Sequence, residues 1–347
     1  MPSARDPIAD LRRIAFLLER AHEKTYRVRA FRGAAATLGK LAEGELATRA
    51  QAGTLTDIQG IGDVTARCVV ESLNGEEPVY LRRLEATAGQ DLDAETAGLL
   101  HRLRGDCHSH SDWSDGGSPI DEMAMAAAQI GHEYLVLTDH SPRLTVARGL
   151  SAERLEEQLG VVADVNAGFR QLGLSFRLLT GIEVDILADG SLDQTDELLD
   201  RLDVVVASVH SNLKDEPEVM TRRMVNALAN PRMDILGHCT GRLITGGRGT
   251  RAESRFDAEA VFAAAVEHDK AIEINSRPER LDPPKRLLRV ALEAGCRFTI
   301  DTDAHAPGQL DWLANGCARA VACGVPADRI LNTLPADDLL AWAASHK

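Results

Sequence analysis

The sequence predicts an α/β fold, a barrel of seven βα units preceded by a small all-helical domain. Three observations carry that prediction. From Asp106 to the C-terminus, short β-branched runs alternate with amphipathic helical segments, which argues a parallel sheet. Each run ends in a residue able to hold a cation or a proton, as expected where the C-terminal strand ends of a barrel converge on one face. Upstream, residues 8–41 carry apolar residues at helical spacing, and a glycine-rich turn follows them.

In the helical region, Ile8, Leu11, Ala15 and Leu18 mark one helix, and Ala30, Phe31, Ala34, Leu38 and Leu41 a second. Their outer faces hold Arg12, Arg13, Arg20, Arg27, Arg29 and Arg32. Next, Ile58-Gln59-Gly60-Ile61-Gly62 forms a tight turn that opens into a helix from Asp63 to Leu73. The amides of such a turn and of the helix N-terminus suit phosphate. Residues 1–85 are therefore expected to be an all-α domain, and 86–104 a helical connector whose helix starts at Ala94 behind an Asp93 cap. Asp91 and Asp93 are not read as a polymerase carboxylate pair, because the connector is too short to build a nucleotidyl-transfer domain.

From residue 105 to 347 the expected strands are the segment around His108, then Tyr134–Leu137, Phe176–Ile182, Asp203–Val209, Met233–Leu236, Ala271–Ile274 and Arg297–Ile300. Between them lie helical patterns at Ser118–Ile130, Ala152–Gln171, Glu218–Ala229, Phe256–His268 and Pro284–Ala294. Seven strands can close or lie open; the polar residues at their ends favour closure.

Composition is that of an ordinary soluble protein. The N-terminus offers no apolar leader, and no apolar run approaches the length that spans a bilayer, so a cytoplasmic protein without a membrane partner is expected. Six scattered cysteines without a C-x-x-C pair argue against a disulfide framework. The net charge is −14, yet residues 1–40 carry nine Lys or Arg against four Asp or Glu. Only that region suits a polyanion.

The chemistry concentrates at the strand ends. His108 and His110 share a face if extended, and Asp115 lies beyond a Ser/Asp/Gly loop that can fold back toward them. The series continues with Asp139-His140, Glu183, His210, His238, Glu273-Ile274-Asn275, and Asp301-Thr302-Asp303-Ala304-His305. Six of the eleven histidines are spent there. Converging imidazoles and carboxylates without cations would suffer desolvation and repulsion, so a multinuclear metal site is expected. Cys107 and Cys239, each beside one of these histidines, are read as packing under the site.

Two resemblances follow from these motifs. Residues 8–85, with "RVRAFRGAA", the glycine turn and "NGEEPVYLRRLE", resemble the N-terminal helix-hairpin-helix domain of family X DNA polymerases. That implies backbone contacts to DNA through Gly60, Ile61 and Gly62. Val64 and Cys68 stand where some members carry the amines of lyase chemistry, so binding and not lyase activity is implied. Gly105 to about Pro335, with "GDCHSHSDWSDG", "YLVLTDHS", "LLTGIEVDI", "VVVASVHS", "DILGHCTGRL", "AIEINSRPERLD" and "FTIDTDAH", resembles the polymerase and histidinol phosphatase (PHP) family, closest to the C-terminal domain of bacterial family X polymerases. The resemblance implies a distorted seven-stranded barrel with three divalent metal ions. His108, His110, Glu183 and Asp303 would hold one, Glu183 would bridge to a second completed by His210 and His238, and Asp115, His140 and His305 would hold the third.

Ions sharing Glu183 would activate water for attack at phosphorus, with Glu183, Asp303 and His210 at the catalytic centre and no protein nucleophile. Ser109, Ser111, Ser141 and Ser208 then read as supporting hydrogen-bonders. Arg148, Lys214 and Arg277, ahead of Arg143 and Arg242, are the candidates for the substrate phosphate. Thr245–Gly249 is a candidate flap. Nitrogen and oxygen donors suit Zn, Mn or Fe. The expected function is a phosphoesterase processing DNA 3′ ends, by 3′-5′ exonuclease or 3′-phosphatase action. The alternatives are a small-molecule phosphomonoesterase of the histidinol-phosphatase type and a non-catalytic, metal-stabilised DNA-binding scaffold.

Overall fold

Seven strands follow one another in the sheet in the order in which the chain makes them, and every neighbouring pair is parallel. They are β1 (Gly105–Ser109), β2 (Tyr134–Leu137), β3 (Arg177–Asp185), β4 (Val204–Ser208), β5 (Ile235–Leu236), β6 (Ala271–Asn275) and β7 (Arg297–Asp301). A parallel bridge between Ser109 and Ala304 brings the last strand back to the first, and the His110 amide donates to the Ala304 carbonyl at 2.8 Å. The result is a nearly closed, distorted (β/α) barrel.

The computed structural model describes residues 5–89, 91–246 and 249–347, and separates Met1–Asp91 from Leu92–Lys347. The first unit contains α1 (Pro7–Arg20), α2 (Thr25–Leu38), α3 (Glu45–Ala52), α4 (Asp63–Leu73) and α5 (Val79–Thr87). Leu11, Ile14, Leu18, Phe31, Leu38 and Val69 form its interior. Two buried carboxylates in it are paired: Asp10 accepts from Ser72 Oγ at 2.7 Å and from Arg5, and Glu19 pairs with Arg32. Several arginines read as an outer basic face are thus spent internally, since Arg13 pairs with Glu85, Arg27 with Glu23, and Arg32 with Glu19. Ala30, placed on the apolar stripe by its spacing, is exposed, because α2 turns its Val28 and Phe31 inward instead.

In the second unit the strands alternate with α6 (Ala94–Arg102), α7 (Ile120–Gln129), α8 (Ala152–Gln171), α9 (Asp196–Leu199), α10 (Pro217–Leu228), α11 (Ala258–Glu267), α12 (Lys285–Ala294), α13 (Leu313–Cys323) and α14 (Ala336–Ala344). The segment expected to be a connector packs on the barrel: Leu99 of α6 and Leu103 just after it lie in the barrel's outer core. No helix among the described residues is long and apolar enough to cross a membrane.

Inward-facing side chains alternate along each strand. Near the N-terminal strand ends they are apolar: Cys107, Tyr134, Val136, Leu179, Val204, Val206, Ile235 and Ala271 pack with Leu339 and Trp342 of α14, which plugs that mouth. Further along, the same parity places Glu183 on β3, four residues beyond Leu179, and Glu273 on β6, two beyond Ala271, both buried. The barrel is thus oily at one end and ionisable at the other. A bulge in β1 between Asp106 and Ser109 lies beside His108, where such irregularities re-aim side chains.

Candidate metal centre

The nine side chains singled out in the sequence converge at the C-terminal strand ends. Glu183 is at their centre, and its two oxygens face different partners. Oε1 lies 2.8 Å from His238 Nε2 and 3.3 Å from His210 Nε2. Oε2 lies 3.4 Å from His108 Nε2, 3.6 Å from His110 Nε2 and 2.9 Å from His140 Nδ1. Asp303 Oδ1 stands 3.4 Å from His110 Nε2, and Asp115 Oδ1 stands 3.5 Å from His140 Nε2 and 3.2 Å from His305 Nε2. Their donor atoms gather into four groups: His110, Asp115, His140 and His305; His108, His110 and Asp303; His108, Glu183 and His238; and His140, Glu183 and His210.

Most of these contacts are not hydrogen bonds. Both Glu183 oxygens and the Nε2 atoms of His108, His110, His210 and His238 are buried without a hydrogen-bond partner. Donors about 2.0–2.2 Å from a tetrahedral ion stand roughly 3.3–3.6 Å from one another. Several separations here have that value, so the donor set fits cations shared among misaligned, desolvated nitrogens and oxygens.

A surrounding layer orients two of the imidazoles through Nδ1, turning Nε2 toward Glu183. His108 Nδ1 is 2.5 Å from Glu273 Oε1, and His210 Nδ1 bonds the Asp185 carboxylate. His305 Nδ1 lies 2.8 Å from both the Asp303 carbonyl and Arg277 NH1. Glu273 Oε2 also accepts from the His238 amide at 2.6 Å, coupling β1, β5 and β6. Asp139 receives the Ser111 amide at 2.8 Å, Gln158 Nε2 at 2.7 Å, and the hydroxyls of Ser111 and Ser114. That knot folds the loop back so that Asp115 reaches His140 and His305. Asp303 has φ +52°, a conformation rarely adopted by a side-chain-bearing residue outside constrained sites.

The electrostatics suit cation ligands. Burial opposes ionisation of Glu183, but the histidines around it hold its pKa well below the usual carboxylate range. Asp303 is likewise depressed against burial, by Arg280 and Arg277. Burial together with His305 and His140 brings His110 down to about 3, so that imidazole stays neutral. Burial pushes the Cys107 and Cys239 thiols up, and none of the donor groups contains a cysteine.

The proposed phosphate cations fare unequally. Arg148 donates to the Asp112 carbonyl at 2.8 Å and to the Ser114 carbonyl, so it braces the Asp115 loop. Arg242 donates to the Arg280 carbonyl at 3.0 Å, and Arg143 lies 3.9 Å from Asp193. Lys214 is exposed. Arg277 donates to the Asp303 carbonyl at 2.9 Å. Arg280, which sequence reasoning missed, donates from Nε to Asp303 Oδ2 at 2.9 Å, while its NH1 is buried without a partner. Asp139 and Glu273, named among the strand-end residues but given no ligand role, and Asp185, not singled out, supply these supporting contacts. Ser109 and Ser141 are spent on the Val136 carbonyl and the Asp185 amide. Of the candidate flap, Gly247 and Arg248 lie outside the described residues.

In the helical unit, Gly60 and Gly62 are exposed on the turn and Ile61 is buried beneath it. Gly60 has φ +88°, which glycine adopts without strain. Thr65 Oγ1 accepts the Gly62 amide at 3.0 Å, while the first-turn amides of α4 have no intrahelical acceptor. Val64 is exposed, but Cys68 is buried in the unit's core and does not share that outer face.

Residues 106–277 match the model of the PHP domain, and residues 4–77 match that of a helix-hairpin-helix domain. The chain carries a PHP domain. Among its relatives is the DNA polymerase/3′-5′ exonuclease PolX of Bacillus subtilis (strain 168), 38% identical over 259 residues. That alignment covers 74% of this chain and 44% of the relative, so the chain spans less than half of that protein. A "Probable phosphatase" of Thermoanaerobacter sp. (strain X514) is 28% identical over 66% of this chain and 89% of its own length. Among solved structures, a histidinol phosphate phosphatase of Lactococcus lactis subsp. lactis Il1403, complexed with Zn, L-histidinol and phosphate, has a TM-score of 0.47 and 20% identity, covering 63% of this chain and 92% of that one. With its PHP domain and its clustered His, Asp and Glu donors, the chain is a metal-dependent hydrolase of the phosphoesterase class.

Proposed function

We propose that this chain processes DNA 3′ ends, removing 3′ nucleotides or a 3′ blocking phosphate, with three divalent ions seated among the nine convergent residues. The observation that carries the hydrolytic part is Glu183, whose two buried oxygens face two sets of unpartnered imidazole nitrogens. His108, His110, Glu183 and Asp303 would hold one ion, Glu183, His210 and His238 a second, and Asp115, His140 and His305 the third. Bound there, Zn, Mn or Fe ions would polarise a phosphate oxygen and lower the pKa of water toward neutrality.

The protein's own contribution is orientation and charge. Glu273 and Asp185 fix the tautomers of His108 and His210, so that each turns a lone pair toward Glu183. Arg277 and Arg280 flank Asp303, and the unpartnered NH1 of Arg280 would donate to a substrate phosphate oxygen, as would the exposed Lys214. No side-chain nucleophile is needed. The helix-hairpin-helix unit supports DNA as the substrate, with the Gly60 amide and the first-turn α4 amides offered to the backbone phosphates, the Ile61 and Gly62 amides being held by the Ile58 carbonyl and Thr65 Oγ1.

A second reading, a small phosphomonoester, is favoured by the phosphatase relatives, which align over nearly their whole length without the rest of this chain. Turnover in Mn²⁺ of a 5′-labelled oligonucleotide ending in 3′-hydroxyl or 3′-phosphate, beside histidinol phosphate, separates the two. Oligonucleotide turnover far above that of the small ester, lost in Asp303→Asn, supports the first reading. Turnover of histidinol phosphate alone supports the second. No turnover of either by metal-loaded protein leaves the scaffold reading.

A further inference from the structure

The N-terminal ends of β6 and β7, opposite the ionisable end of the barrel, border a cavity of about 390 Å³. In its wall stands Lys270, only 2% exposed. The burial falls on its hydrocarbon stem, while the Nζ is not shut off from water and borders the cavity. Yet among the described residues Lys270 has no side-chain acceptor. The carboxylates near it are committed elsewhere: Asp234 accepts the Val205 amide at 2.8 Å and pairs with His346 Nδ1 at 2.7 Å, and Asp269 lies 3.1 Å from Arg297 Nε. Burial accordingly brings the ammonium down to about 8, although Asp234 and Asp269 oppose that shift.

The rest of the wall suits an anion with a small apolar body. Arg297, paired with Asp269, and Arg329, which donates to the Gly295 carbonyl, add two guanidinium groups, so that with Lys270 three cations face the carboxylates of Asp269 and Asp328, while Ala265, Ile330 and Leu334 supply hydrocarbon. We propose that this cavity binds a small organic oxyanion, a carboxylate or a phosphate monoester with a short apolar body, whose charged head pairs with the Lys270 ammonium. The site is separate from the metal centre: Lys270 precedes β6, whereas Glu273 and Asn275 lie toward its other end.

Site-resolved acylation tests this. The full-length, metal-loaded protein is treated with a limiting amine-acylating reagent at pH 8, alone, with butyrate, or with inorganic phosphate, and modification of Lys270 and Lys214 is followed by mass spectrometry. The result expected is that one or both oxyanions slow Lys270 modification about tenfold at ten times their Kd, with Lys214 unaffected by butyrate. Protection by butyrate assigns the carboxylate class and protection by phosphate the phosphate class. A Lys270 that never reacts, or that reacts equally fast in all three conditions, overturns the proposal. As a second readout, the protecting oxyanion raises Tm in the wild type and raises it less in Lys270→Met; an equal rise in both also overturns it.

Discussion

Glu273→Gln is the sharpest perturbation of the metal centre that leaves its shape intact. Glu273 accepts on both oxygens, from the His108 ring at 2.5 Å and from the His238 amide at 2.6 Å. A glutamine has one acceptor and one donor end. If its carbonyl meets His108, its NH₂ meets the His238 amide, donor against donor. Turned over, its NH₂ meets His108 Nδ1, which forces the proton to Nε2 and removes the lone pair facing Glu183. Either way one buried group loses its partner, at a cost of about 1–3 kcal/mol. That is roughly 5- to 150-fold in ion affinity, within reach of the 10- to 100-fold typical of residues that orient metal ligands. Competition against a chelator of known affinity measures it directly, with the Tm of the metal-free protein recorded in parallel. The expected outcome is an affinity loss of up to that range, with the metal-free Tm lowered by a few degrees to the extent that the empty fold already carries the cost. An affinity within about twofold of wild type with an unchanged metal-free Tm would refute the role given to Glu273.

Other consequences are equally accessible. Arg280→Met, which removes the unpartnered NH1, is expected to lower kcat/KM about 10²-fold while the metal content measured by emission spectrometry stays near that of wild type; unchanged kinetics would exclude phosphate contact. Gly149→Ala would set a Cβ 1.8 Å from the Ser141 carbonyl oxygen. Backbone cannot yield as a flexible side chain does, so chemical denaturation should show a loss of about 3 kcal/mol or more. Burial alone brings His132 down to about 4, and its Nδ1 has no partner. The unfolded chain therefore binds this proton first, and stability falls as pH drops from about 6.5 toward about 4. His132→Gln should flatten that part of the urea-denaturation pH profile, and an unaltered slope would discount burial as the cause.

Much of the architecture was legible because its signals are local. The β2 run Tyr134–Leu137 and the helix Ala152–Gln171 carry their own apolar pattern and have the bounds that pattern suggests. The helix after the glycine turn, Asp63–Leu73, does too. Where a pattern was ambiguous, packing decided. The segment Ala94–Arg102 is helical either way, but only the barrel wall explains why Leu99 and Leu103 are buried. The C-terminal helix Ala336–Ala344 went unassigned, since its role as a plug depends on residues such as Cys107 and Tyr134 far away in the chain.

The sequence by itself determined that seven strand ends carry imidazoles and carboxylates, because a period-two strand followed by a helix fixes where each such residue falls. Only the tertiary structure decided which oxygen of Glu183 faces which imidazole, that Glu273 and Asp185 orient His108 and His210, and that Arg280 rather than Arg148 keeps a donor free beside Asp303. The physical reason is distance along the chain. A hydrogen bond between residues 165 positions apart, as between His108 and Glu273, leaves no periodic trace in either segment. It exists only once the barrel has closed and excluded the water that would otherwise satisfy both groups.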